Sequence, residues 1–156
     1  MHSGSSHQPV MRDEVIDALQ IKPNGIYLDA TFGRGGHSCA ILSQLNDHGK
    51  LHVFDRDPEA IDAAKQLQKS DPRVIIHHAR YSQIPEKLPP CDHGKIDGIL
   101  FDLGVSSNQL DTASRGFSFQ KTGPLDMRMN PQDPQSAADW INSVPEETLY
   151  TTLKIY

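Results

Sequence analysis

Tyr27-Leu28-Asp29-Ala30-Thr31-Phe32-Gly33-Arg34-Gly35-Gly36-His37 is the stretch that decides the fold. It reads as an apolar strand closing on an acid, then a glycine-dense turn, then the start of a helix. At the carboxyl end of a parallel strand, such a turn forms a ligand crevice. Gly33-Arg34-Gly35-Gly36 lets the backbone pass close to a ligand where a side chain would clash. The full dinucleotide fingerprint is absent, because its third glycine would fall at position 38, which is Ser38. Taken alone, the turn is equally compatible with a tight strand-to-helix junction that holds nothing.

The flanking pattern supplies the architecture. Val10, Val15, Ile16, Leu19 and Ile21 recur near helical spacing and predict an amphipathic helix over 10–20, ended by Lys22-Pro23-Asn24-Gly25. The first strand spans 26–30. Ala40, Ile41, Leu42 and Leu45 line the helix after the glycine turn. Leu51 to Asp55 reads as a second strand, and Asp57-Pro58-Glu59 as a capped helix start running on to Lys69. Val74-Ile75-Ile76 is a third strand, a short helix falls within 82–89, and the almost wholly apolar stretch 96–103 is a fourth strand. Alternating strands and helices predict an α/β fold: an open, Rossmann-like parallel sheet with right-handed crossovers. Its apolar strands predict that both faces are covered.

After Leu103 the period is lost. Residues 104–134 are rich in Gly, Ser, Asp, Pro and Asn, yet hold Phe117, Phe119, Leu125, Met127 and Met129. The large apolar residues argue for an ordered, functional segment rather than a disordered one. Ala137, Ala138, Trp140 and Ile141 predict a helix, and Pro145-Glu146-Glu147 begins another that runs to the last residue.

With 156 residues, the chain is long enough for one core without disulfides or metals. Its net charge of −5 argues mildly against a domain that grips nucleic acid by its backbone, unless the basic residues cluster. No run approaches the roughly 18 apolar residues that span a bilayer, and Met1 to Ser6 lacks the apolar core of a secretory signal. Cys39 and Cys91 read as buried or idle thiols of a reducing compartment. His77, His78, Cys91 and His93 match no zinc spacing, so no metal is expected.

Three acids end three strands. Asp55 closes the second strand, some twenty residues past the glycines, where a carboxylate accepts both hydroxyls of an adenosine ribose. Asp57 reads as a helix cap. Asp102 closes the fourth strand, either facing the crevice or capping its own loop. Asp29 stands four residues ahead of Gly33. S-adenosylmethionine has two cationic centres and no phosphate, so a nearby carboxylate suits it better than a phosphate cradle would. Tyr81, after the third strand, either stacks beside an adenine or is a half-buried loop aromatic.

Asp29 to Ser38, Asp55-Arg56-Asp57-Pro58, Asp97 to Ser107, Gln109-Leu110-Asp111, Arg115-Gly116-Phe117-Ser118-Phe119 and Gly123 to Met129 together resemble the bacterial 16S rRNA (cytosine-N4) methyltransferase family, MraW/RsmH. These motifs occur in order over nearly the whole chain. The resemblance implies a class I methyltransferase using S-adenosylmethionine on the exocyclic N4 of a cytidine in small-subunit ribosomal RNA, hence a cytoplasmic protein. It implies cofactor contacts at Gly35, Gly36, His37, Asp55, Tyr81, Asp102 and Gln109. Residues 1–110 are expected to form the cofactor-binding core, with an incomplete sheet. Residues 111–156 would be a connecting segment and the start of an inserted helical domain that helps hold RNA. Relatives of this family run on past the equivalent of Tyr156, so the chain is expected to be an N-terminal portion.

Amino methyltransferases often place an acid or asparagine before two prolines and an aromatic. Here Asp102-Leu103-Gly104-Val105 stands instead, leaving Asp102 to bind cofactor, orient the amine, or both. Phe117 and Phe119 divide between stacking the target base and core packing. Two rival readings stay open: a non-catalytic S-adenosylmethionine-binding fragment of such an enzyme, and an NAD-dependent oxidoreductase, which Ser38 and Asp29 oppose. The sequence leaves the oligomeric state open, a dimer included.

Overall fold

Tyr27 and Leu28 lie side by side in the central strand of a parallel sheet, buried on opposite faces, in the computed structural model, which describes residues 9–156. This strand, β1 (Ile26–Asp29), pairs with β2 (Lys50–Asp55) on one side and β4 (Gly98–Leu100) on the other. Beyond β2 lies β3 (Val74–His78), giving the order β3-β2-β1-β4 with every pairing parallel. The α/β reading therefore holds. The strand order reverses at β1, the switch point where open α/β sheets build ligand crevices.

One face of the sheet, with Tyr27, Leu51, Val53 and Val74, packs with Ile41 and Leu42 of α2 (Gly36–Gln44) and Ala60 and Ala64 of α3 (Pro58–Ser70). Val15, Ile16 and Leu19 of α1 (Arg12–Leu19) pack against this cluster. The other face buries Leu28, Ala30, Phe54, Ala79 and Leu88, flanked by Ile84 of the single-turn α4 (Ile84–Lys87). Each fully buried large apolar side chain contributes about 1.5–3 kcal/mol. Asp57 caps α3 as expected, accepting from the Glu59 N–H at 3.0 Å, with Pro58 at the first helical position; such a cap contributes about 1 kcal/mol.

Two expectations need correction. The fourth strand is only Gly98–Leu100 rather than 96–103, and the coverage of both faces does not extend to it: Ile99 is 46% exposed and Phe101 47%. Among the described residues β4 pairs on one edge only. The second face of β2 is also not wholly apolar. His52 is fully buried there, with Nδ1 3.0 Å from His77 Nε2 and Nε2 3.2 Å from Asp92 Oδ2. Lys50 Nζ reaches the other oxygen of Asp92 at 2.9 Å. His77 also stacks on Phe54 with ring centroids 4.2 Å apart. The three histidines considered as metal ligands thus have other partners, His78 bonding the Arg56 carbonyl and His93 the Leu88 carbonyl. Among the described residues no three His, Cys, Asp or Glu converge on a cation site.

The chain divides into two compact units, through Leu103 and from Gly104 onward. The second contains α5 (Ser107–Asp111), α6 (Ala137–Ser143) and α7 (Glu146–Ile155). Its aperiodic stretch is ordered by arginine. The buried Arg115 donates through Nη2 to the carbonyls of Arg128 and Met129, at 3.1 and 2.8 Å. Arg128 forks onto Asp126 at 2.9 and 2.6 Å and reaches the Asp133 carbonyl. Hydrogen bonds to carbonyls and carboxylates thus replace the periodic core that the sequence lacks there. Phe117 lies half-buried with the Arg115 guanidinium 6.0 Å from its ring, whereas Phe119 is fully exposed.

Candidate functional site

The glycine turn begins where β1 parts from β4. Ala30 N–H still donates to the Leu100 carbonyl at 2.9 Å, but Phe32 N–H donates to the Phe54 carbonyl on the opposite side, at 3.0 Å. The chain has swung toward β2 and away from the end of β4. Gly33 and Gly35 have φ of +54° and +77°, the left-handed region that glycine enters without penalty. A Cβ on Gly35 would lie 2.7 Å from the Phe32 ring, whereas one on Gly33 would meet nothing closer than 3.9 Å among the described residues. The Gly33 side of the turn is therefore open.

The strand-end acids hold this turn. Asp55 Oδ2 accepts from Gly33 N–H at 2.8 Å and Oδ1 from Asp57 N–H at 2.9 Å. Asp29 is 1% exposed; one oxygen accepts from Ser38 Oγ at 2.6 Å and the other from Thr31 N–H at 3.1 Å. Burial pushes the Asp29 carboxyl up, opposed first by the Ser38 hydroxyl and then by the Thr31 amide. Asp29 thus acts on the turn from beneath. Asp102 is anchored through its backbone, its N–H donating to Thr31 Oγ1 at 2.8 Å, while its carboxylate is 56% exposed.

His37, in the first turn of α2, is 7% exposed. Its Nε2 is 3.7 Å from Asp102 Oδ2, and its buried Nδ1 has no hydrogen-bond partner among the described residues. Tyr81 opens a 3-10 turn after β3, is 52% exposed, and meets Phe101 edge-on at 5.8 Å. Asp29, Gly33, Gly35, Gly36, His37, Asp55 and Asp102 are therefore brought together around the ends of β1, β2 and β4, with Tyr81 beside Phe101, next to Asp102.

The MraW methylase family profile matches residues 4–156. The chain belongs to the MraW methylase family. It is 54% identical over 155 residues to Ribosomal RNA small subunit methyltransferase H of Pseudoalteromonas atlantica, covering 99% of this chain and 50% of that protein. The like-named protein of Hydrogenovibrio crunogenus is 54% identical over 153 residues, covering 97% and 48%. The chain thus spans about half the length of these curated relatives. Among solved structures, TrmN from Thermus thermophilus overlaps 52% of this chain and 25% of its own, with 18% identity and a TM-score of 0.46.

Gln109, the remaining residue expected at the site, lies in the second unit. It is 5% exposed, and its side-chain oxygen accepts from Ser106 N–H at 2.9 Å while its own N–H donates to Ser106 Oγ. That reciprocal pair is the capping box of α5. Two hydroxyls at the turn take part that the strand and glycine pattern does not single out. A hydroxyl two residues past an Asx acid, as at Thr31, is a recognisable local motif. Ser38 departs from the dinucleotide fingerprint, yet its hydroxyl holds Asp29.

Proposed function

We propose that this protein is an S-adenosylmethionine-dependent methyltransferase acting on the exocyclic N4 of a cytidine in small-subunit ribosomal RNA, with the cofactor held by the first unit. The observation that carries this reading is the tie between Asp55 and Gly33, which joins a ribose-type acceptor to an open glycine turn. The residues present fit the cofactor. Each Asp55 oxygen accepts one internal hydrogen bond, and a carboxylate has about four acceptor sites in all. The buried His37 Nδ1 awaits a polar partner. The names of the two relatives support the ribosomal substrate.

When bound, S-adenosylmethionine supplies a sulfonium methyl, whose S–C bond breaks as the N4–C bond forms. In this reading Asp55 accepts the ribose hydroxyls, Gly33 to Gly36 allow close backbone approach, and Tyr81 offers a ring face to adenine. Cytosine N4 is a poor nucleophile because its lone pair delocalises into the ring. The exposed Asp102 carboxylate accepts an N4–H, localises that lone pair, and takes the proton that N4 loses on methylation. Positioning of this kind supplies several kcal/mol. The target base must be unstacked to reach it. A ribosomal substrate assigns the working protein to the cytoplasm, and transfer is assigned to the whole protein.

Calorimetry with S-adenosylmethionine, using Asp55→Ala as control, tests the cofactor half. Incubation with labelled cofactor and small-subunit RNA tests transfer, and nucleoside digestion locates the methyl. A folded whole protein that binds no cofactor would overturn the reading.

A further inference from the structure

The register of β1 and β4 exposes a substitution in the hydrogen-bond ladder. Leu28 lies opposite Ile99 and Asp29 opposite Leu100, and Ala30 N–H donates to the Leu100 carbonyl. In a parallel ladder that continued, the next rung would run from Asp102 N–H to the Ala30 carbonyl. Instead, Asp102 N–H donates to the Thr31 hydroxyl at 2.8 Å. Beyond that point the backbone of β1 follows β2, with Phe32 N–H on the Phe54 carbonyl. A side chain therefore bridges the two strands where their backbones diverge.

Thr31 is itself held. Its N–H donates to Asp29 Oδ1, and Asp29 Oδ2 accepts from Ser38 Oγ in α2. The chain Ser38–Asp29–Thr31–Asp102 thus runs from helix α2, through the end of β1, to the second residue after β4. Its inner links are sheltered, Asp29 at 1% and Ser38 at 0% exposure, and its outer end carries the exposed Asp102 carboxylate 3.7 Å from His37 Nε2.

We infer that Thr31 is the positioning residue for Asp102: its hydroxyl sets the backbone from which the Asp102 carboxylate meets the target amine. This rests on the reading of Asp102 as the amine-orienting acid. The β-branched side chain suits the role, because restricted χ1 freedom keeps the hydroxyl on one heading. Loss of the hydroxyl leaves the Asp102 N–H without its acceptor and frees the segment after β4.

Thr31→Val keeps the shape and removes the acceptor, whereas Thr31→Ser keeps the acceptor. Amide hydrogen exchange at Asp102, read by NMR on the intact protein, is expected to speed up at least tenfold in Thr31→Val and stay within threefold of wild type in Thr31→Ser. With cofactor and small-subunit RNA, Thr31→Val should lower kcat at least tenfold while cofactor affinity changes less than threefold, and Thr31→Ser should recover most of that turnover. Unchanged exchange and turnover in Thr31→Val, or equal impairment in both variants, would overturn the inference. Failure of the wild-type protein to bind S-adenosylmethionine would overturn the proposed function instead, and the exchange comparison would still decide whether Thr31 holds Asp102.

Discussion

The Asp55 carboxylate accepts a hydrogen bond from the Gly33 backbone N–H at 2.8 Å, tying the end of β2 to a turn 22 positions earlier in the chain. One side chain thereby shapes the turn and presents an acceptor beside it. Asp55→Ala should lose both. A hydrogen bond to a charged group is worth about 1.5–3 kcal/mol, so affinity for S-adenosylmethionine is expected to fall at least tenfold in calorimetry. Asp55→Asn, which keeps one acceptor oxygen, should fall between the two.

Gly33 and Gly35 both have positive φ, yet they should not respond alike to alanine. An L residue in the left-handed region costs about 1–2 kcal/mol. Gly33→Ala bears only that cost, because its added Cβ enters open space. Gly35→Ala also drives a Cβ to 2.7 Å from the buried Phe32 ring. Urea unfolding should show Gly35→Ala as the more destabilised. Gly33→Ala should instead lose cofactor affinity with a smaller change in midpoint.

The His52–His77 pair makes stability depend on mildly acid pH. Burial pushes His77 down to about 4, helped by the neighbouring His52 and Lys87, and burial likewise lowers His52 against the pull of Asp92. Between the ordinary histidine value near 6.5 and about 4, the unfolded chain binds a proton that folded His77 refuses. Stability conferred by the neutral ring is therefore present above that window and lost as pH falls through it. His77→Phe keeps a ring against Phe54 and removes the titration. Its melting temperature should fall less steeply from pH 7 to pH 4.5 than that of wild type, a difference on the order of a few degrees.

Arg115 organises the aperiodic part of the second unit through two carbonyls. Arg115→Met preserves the bulk of the side chain but leaves the Arg128 and Met129 carbonyls without this donor. A loss of about 2–4 kcal/mol in local stability is expected. Limited proteolysis should cut between residues 116 and 134 far faster in this variant, while fragments of the first unit persist. Equal cleavage rates would show that Arg115 does not hold the segment.

The helices and strands of the first unit were readable because local signals agreed with packing. Asp57-Pro58-Glu59 marked a cap that forms, and Leu51 to Asp55 named a strand whose apolar side chains are buried. The fourth strand misled for a physical reason. Its apolar run implies burial on both faces, but burial needs covering layers, and Ile99 and Phe101 remain 46% and 47% exposed. Residues 104–134 were unreadable because their order comes from Arg115 and Arg128 reaching carbonyls and a carboxylate, which leaves no period in the sequence.

At the site the division is sharper. Sequence by itself determined the residue types: acids closing strands, glycines that tolerate positive φ, and motifs that place the chain in its family. Those are local properties, written in spacing and backbone preference. What each acid does follows from the folded arrangement. Asp29 is turned inward onto Ser38 and Thr31, Asp55 grips Gly33, and Asp102 stands exposed on a hydroxyl strut. These roles depend on which strand lies beside which and where β1 leaves β4 for β2, contacts between residues 22 and 71 positions apart that no local pattern encodes.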